Sequence, residues 1–202
     1  MQTASRTIVL VGLLCGTAGT AVAQDYLPER YGMTAALGVG AATAGIACNP
    51  RCQGDRQTGP VYQVRGAANV TPQFTIAIEG NVFNKTFSTS NGEGRWQLIW
   101  GTLGFLWYPT AESETYVKVG IGASVWHAHT TFPDVGALDL NTHNLGFVAG
   151  VGRDYRLSTQ YGLNVFADYL YAPRSTGYLH GVESGAEIGG DVINIGLAII
   201  VF

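Results

Sequence analysis

The sequence predicts an all-β chain: an eight-stranded antiparallel up-and-down transmembrane β-barrel whose apolar face looks outward into lipid. Three observations lead there. Apolar residues alternate at period two through eight segments of about ten residues each. The opposite face of every segment is polar or glycine-rich, and the links between segments alternate between short and long. Of the 202 residues, 47% are hydrophobic, 12% are charged and 28 are glycine. A typical soluble domain carries about 25% charged residues.

The segments follow in chain order. Segment 31–41 sets Met33, Leu37 and Val39 on one face against Thr34, Gly38 and Gly40 on the other. Segment 61–70 sets Tyr62, Val64 and Val70 against Gln63, Arg65 and Asn69. In 74–86, Phe74, Ile76, Ile78 and Val82 oppose Thr75, Glu79 and Asn81. In 94–108 the apolar row is Ile99, Leu103, Phe105 and Trp107, with Thr102 and Gly104 behind it. Segment 115–128 places Val117, Val119, Ile121 and Val125 against Lys118, Gly120, Gly122 and Ser124. Segment 143–156 places Leu145, Phe147 and Val151 against Asn144, Gly146, Gly150 and Gly152. Segment 161–171 carries Leu163, Val165, Tyr169 and Tyr171 against Asn164 and Asp168. The last, 192–202, carries Ile193, Ile195, Leu197, Ile199 and Val201 against Asn194 and Gly196.

Bulky residues thus form one belt, and the charges sit on the small side. That arrangement is inside-out for a soluble barrel and right for one in lipid. The short links are 71–73, 109–114 and 157–160; the long ones are 42–60, 87–93, 129–142 and 172–191. Such alternation matches the periplasmic turns and extracellular loops of a membrane barrel, with both termini periplasmic. Closure removes the unpaired edges that hydrocarbon does not tolerate. Tyr and Trp favour the membrane interfaces. Trp107, Tyr108, Tyr116, Tyr155 and Tyr161 are expected at the periplasmic level, and Tyr62, Trp96, Trp126 and Tyr171 at the outer one.

Ahead of the barrel, Arg6 is the only charge before Asp25, Ile8 opens a short apolar run, and Ala21, Val22 and Ala23 form a small-residue cleavage site. Residues 1–23 read as a signal peptide and 24–202 as the barrel domain. The uncharged stretch 96–111 contains Gly101, Gly104 and Pro109, which suit a spanning helix poorly. A net charge of −3 without a Lys/Arg cluster argues against nucleic acid as a partner.

The interior charges are the first candidate site. If Val70 faces Phe74 across the link 71–73, Arg65 lies opposite Glu79. Lys118 and Asp168 point the same way, so an interior polar network of Arg65, Glu79, Lys118 and Asp168 is expected, its charges satisfying one another. Arg153 breaks an outward row near a periplasmic strand end, where it can snorkel to headgroups. Cys48 and Cys52, in C-x-x-x-C spacing, read as a local disulfide in an oxidising envelope. His127, His129 and His143 are weak metal candidates, and solvated loop histidines are the expected reading. Ser124 and His127 share a strand but differ in parity, so they form no nucleophile–base pair. No cofactor is expected.

On these features the chain resembles the small eight-stranded outer-membrane β-barrel family, of the OmpA transmembrane-domain and OmpX kind, over about residues 31–202. The resemblance implies recognition of the C-terminal strand, ending in Phe202, by the barrel-assembly machinery. Phe202 is out of phase with the stronger row Ile193 to Val201, which leaves its direction open. The expected protein is a monomer in the outer membrane of a Gram-negative-type bacterium, with membrane lipid as its partner. Its expected role is structural or surface-interacting and non-catalytic, with room for a narrow solute pore. The alternatives are a lipid-modifying enzyme of the lipid A deacylase or acyltransferase type and a secreted lipocalin-like barrel.

Overall fold

The structure, a computed structural model, describes residues 32–49, 56–89, 92–132 and 136–202. The expected signal peptide and the Cys48–Cys52 bond lie outside the described residues. Eight strands follow in order: β1 Met33–Asn49, β2 Gln57–Thr71, β3 Phe74–Thr89, β4 Gly92–Trp107, β5 Thr115–Phe132, β6 Gly136–Arg156, β7 Tyr161–Leu179 and β8 Val182–Val201. Each pairs antiparallel with its chain neighbours, and β1 pairs with β8 to close the barrel. The end carrying the short turns and Phe202 is called lower here.

Period-two alternation places the bulky residues outside. Leu37, Val64, Ile78, Phe105, Ile121, Phe147 and Ile199 are all exposed. Arg65, Glu79, Lys118 and Asp168 are all buried. A water-soluble fold of this size would reverse the two sets.

The strands start and stop where the alternation predicts at the lower end and run well beyond it at the upper end. The expected loops 42–60, 129–142 and 172–191 are largely strand. The last of them is a hairpin with His180 and Gly181 at its tip, at φ of 50° and 80°, the positive values a tight hairpin turn needs. Above the apolar belt the outward face of a strand no longer has to be apolar. The ladder there continues on backbone bonds and polar side-chain pairs such as His129 with Asp139, and leaves no apolar period to read.

At the β2–β3 turn, Thr71 rather than Val70 pairs with Phe74, and the register shifts between Asn69 and Thr71. The Thr71 hydroxyl accepts the amides of Gln73 and Phe74 at 3.3 and 3.1 Å, which tightens the turn. Beyond this bulge Arg65 faces Glu79.

The inner face is not merely polar and small. Phe83, Leu98, Trp100, Trp126, Leu170 and Val192 fill its upper part. Leu106, Tyr108 and Tyr116, with Phe166 and Ile200, fill the lower part. The charged layer lies between these apolar layers. Glycine admits this packing: a Cβ on Gly150 would stand 2.2 Å from Asp168 Oδ1, and one on Gly122 2.1 Å from the Gly101 carbonyl. The expected aromatic girdles are corrected accordingly. Trp107, Tyr155, Tyr161, Tyr62 and Tyr171 face outward, whereas Tyr108, Tyr116 and Trp126 are buried inside and Trp96 is half-buried opposite Lys85.

The wall changes character between β6 and β7, where the pairing jumps from Phe147↔Tyr171 to Thr142↔Gly177. Pro173 has no N–H to give a ladder. Side chains close the gap instead: Asn144 Nδ2 donates to the carbonyls of Pro173 at 2.6 Å and Ile188 at 2.8 Å, and Ser175 Oγ donates to the His143 carbonyl at 2.5 Å.

Candidate functional site

The centre of the lumen is built on Lys118. Its register row on β5 points inward, and its side chain runs past Gly104, where a Cβ would stand 3.7 Å from Lys118 Cγ. Lys118 Nζ donates to Glu79 Oε2 at 2.6 Å and to Asp168 Oδ2 at 2.8 Å. One ammonium thus bridges β3 and β7 across the barrel. The other oxygens, Glu79 Oε1 and Asp168 Oδ1, accept no hydrogen bond among the described residues, so Lys118 is the main counter-ion of both carboxylates.

Arg65 forms a second centre just below. Its Nη1 donates to Tyr116 Oη at 3.1 Å and stands 4.0 Å from Glu79 Oε1, while Nη2 is 3.7 Å from Asp154 Oδ1. Asn164 Nδ2 donates to Asp154 Oδ1 at 2.8 Å, and Tyr108 Oη donates to Asp154 Oδ2 at 2.8 Å. The four residues expected together from sequence therefore meet around Glu79, and Asp154, Tyr108, Tyr116 and Asn164 complete the network. Strand parity already set Asn164 inward and could have placed the other three, with Tyr108 continuing the inner row of Leu106. Asp154 lies on the row of Gly150 and Gly152, Tyr116 on that of Lys118, and Asn164 on that of Asp168.

The histidines lie elsewhere, above the belt. His127 Nδ1 is hydrogen-bonded to Asn141, and His129 Nδ1 bonds Asp139 Oδ1 at 2.5 Å, with His180 Nδ1 at 4.0 Å from the other carboxylate oxygen. The bond from His129 holds the exposed Asp139 carboxyl below its usual range. His143 contributes its carbonyl to the β6–β7 closure. Among the described residues, no group of three His, Cys, Asp or Glu is arranged to hold a metal ion. Ser124 accepts Trp126 Nε1 at 3.3 Å inside the barrel, so it is engaged structurally.

At the lower rim, Arg153 donates to Glu114 Oε2 at 2.9 Å and lies 4.8 Å above the Tyr155 ring. Phe202 settles across the lower mouth. Its ring packs over Gly162 and under Arg156, whose Cζ is 4.7 Å from the ring centroid.

The closed barrel fold is shared with solved structures. Ail, the attachment invasion locus protein of Yersinia pestis, superposes with a TM-score of 0.58 at 11% identity, covering 84% of this chain and 99% of that one. The chain has the fold of the small eight-stranded outer-membrane β-barrels. A major outer membrane protein of Thermus thermophilus matches with a TM-score of 0.57 at 12% identity, covering 85% and 99% of the two chains. Neisserial surface protein A gives 0.52 at 13% identity, with 84% and 98% covered. No family model matches the sequence, and no curated protein does either.

Proposed function

We propose that this barrel is a non-catalytic outer-membrane protein with a structural or surface-interaction role. In this reading membrane lipid surrounds the belt, both termini face the periplasm, and the strands above the belt carry a stiff extension out of the membrane. The observation that carries it is the closed lumen. Lys118 joins Glu79 and Asp168 across the middle, and large apolar side chains fill the space above and below. An eight-stranded barrel is just wide enough for side chains to fill, and here they do. The C-terminal strand is the segment offered to the barrel-assembly machinery, with Val201 rather than Phe202 on the outward row.

Planar-bilayer recording tests the closed lumen. The purified barrel is expected to give no steady ion current. A reproducible unitary conductance that changes on substitution of Lys118 would replace this reading with that of a narrow solute pore.

A further inference from the structure

Most of the extension above the belt is one continuous ladder, but the β7–β8 hairpin is set apart from it. Between β6 and β7 no pair is made from Phe147↔Tyr171 up to Thr142↔Gly177. At that level the β7–β8 register shifts between Ala172 and Ser175, beside Pro173, and β8 contributes Gly189 and Gly190. A proline, two adjacent glycines and a missing stretch of ladder form a hinge line. Asn144 holds it from inside through the Pro173 and Ile188 carbonyls. Above this line the hairpin, residues 177–186, is braced as one unit, with Ser184 Oγ donating to the Gly177 carbonyl at 2.7 Å. Pairing of β8 with β1 stops at Glu187↔Asn49. Among the described residues the hairpin therefore leans on β6 alone, through Thr142↔Gly177, Asn141↔Tyr178 and Leu140↔Leu179.

Beyond those pairs, Asp139 ties down the tip. Its carbonyl accepts the His180 amide at 3.0 Å. Its carboxylate takes His129 Nδ1 at 2.5 Å and stands 4.0 Å from His180 Nδ1. The first carboxylate contact is a hydrogen bond that a neutral ring also makes. The second is too long for one, so it attracts only when the ring is charged. Around them stand His127, bonded to Asn141, and Arg95, opposite His129 and held by Asn84. Glu93 lies opposite Thr131, and Glu183 opposite Tyr178. Histidine changes charge between about pH 5 and 8. The Asp139 carboxyl, held low by the His129 bond, stays ionised across that range. The attraction is therefore complete at the acid end and fades as pH rises.

We propose that residues 177–186 are a pH-responsive flap, hinged at Pro173, Gly189 and Gly190 and latched to Asp139 by His129 and His180. Acid closes the latch. Above the histidine range the tip opens more often, and the surface that the barrel presents at this end changes. That this end faces the medium rests on the orientation proposed above; the latch itself does not.

Hydrogen exchange by NMR tests it on the full barrel in lipid nanodiscs, where both ends meet the same buffer. Each variant is first shown to be folded by its mobility on an unboiled gel. The readout is the protection factor of the amide at position 180, corrected for the intrinsic effect of pH on exchange. Opening at the hinge predicts less protection there than at Val119 in the belt. Protection at position 180 is expected to be about threefold higher at about pH 5.5 than at about pH 8, the scale of exposed ion pairs. His180→Asn keeps the turn, because Asn accepts the positive φ of that residue, and is expected to lose the pH dependence. Asp139→Asn, which keeps the carbonyl that accepts the amide, should lose it as well. His143→Gln, outside the latch, should retain it. Protection at position 180 equal to that at Val119 would overturn the hinge. A parent indifferent to pH, or a dependence that survives in either Asn variant or disappears in His143→Gln, would overturn the latch.

Discussion

Replacing Lys118 by Met is expected to lower the unfolding free energy of the barrel by about 3–5 kcal/mol, the scale for leaving buried charge unpaired. Met keeps the length and most of the volume of Lys, so the loss reports charge rather than a cavity. Glu79 and Asp168 would then face each other in the lumen without the ammonium that bridges them at 2.6 and 2.8 Å. The triple variant Lys118→Met, Glu79→Gln, Asp168→Asn is expected to recover most of the loss, because a neutral, packed replacement of a buried ion cluster is often as stable as the original. The coupling should be weaker for Arg65 with Glu79, whose atoms stand 4.0 Å apart while Arg65 keeps Tyr116 and Asp154. Urea unfolding in phospholipid vesicles reads all of these. Equal midpoints for the parent and Lys118→Met would remove the keystone role.

An arginine in the middle of the belt is expected to cost nearly as much. Ile121 is 61% exposed near the centre of the outward row of β5, and Ile121→Arg should destabilise the barrel by about 2–4 kcal/mol in a bilayer. The same change at Val117, near the lower end of the strand, should cost about 0–1 kcal/mol, because its side chain can reach the headgroups. Arg153 already adopts that solution, with Glu114 and Tyr155 beside it. A depth-independent effect along Val117, Val119 and Ile121 would mean that the belt does not face hydrocarbon.

The sequence discloses whatever the bilayer enforces. Each strand that crosses hydrocarbon must alternate, so the rows ending at Trp107, Arg156 and Val201 were readable to within a residue or so. Where the bilayer ends, so does that signal. Residues Pro173 to Leu179 and Val182 to Gly190 look like loop by composition, yet they pair as strands through backbone bonds that no side-chain period marks. In the lumen, parity alone brought Glu79, Lys118 and Asp168 to one side. Parity also held Tyr116 and Tyr108, but a preference of aromatics for interfaces placed them outside. That preference is a tendency of amphipathic rings, whereas strand phase is geometry, and the phase decides. The direction of Phe202 was open because it is out of phase with the row Ile193 to Val201, and its ring closes over Gly162 and under Arg156.

The most direct test asks which tryptophan meets lipid. Trp107 is 45% exposed on the outward row, whereas Trp100 is 3% exposed within the lumen. Two single-tryptophan variants, with the other tryptophans replaced by Phe, are reconstituted in vesicles whose acyl chains carry bromine. Loss of most Trp107 emission with little change at Trp100 is the predicted result. Strong quenching of Trp100 beside an unaffected Trp107 would contradict the outward placement of the bulky side chains.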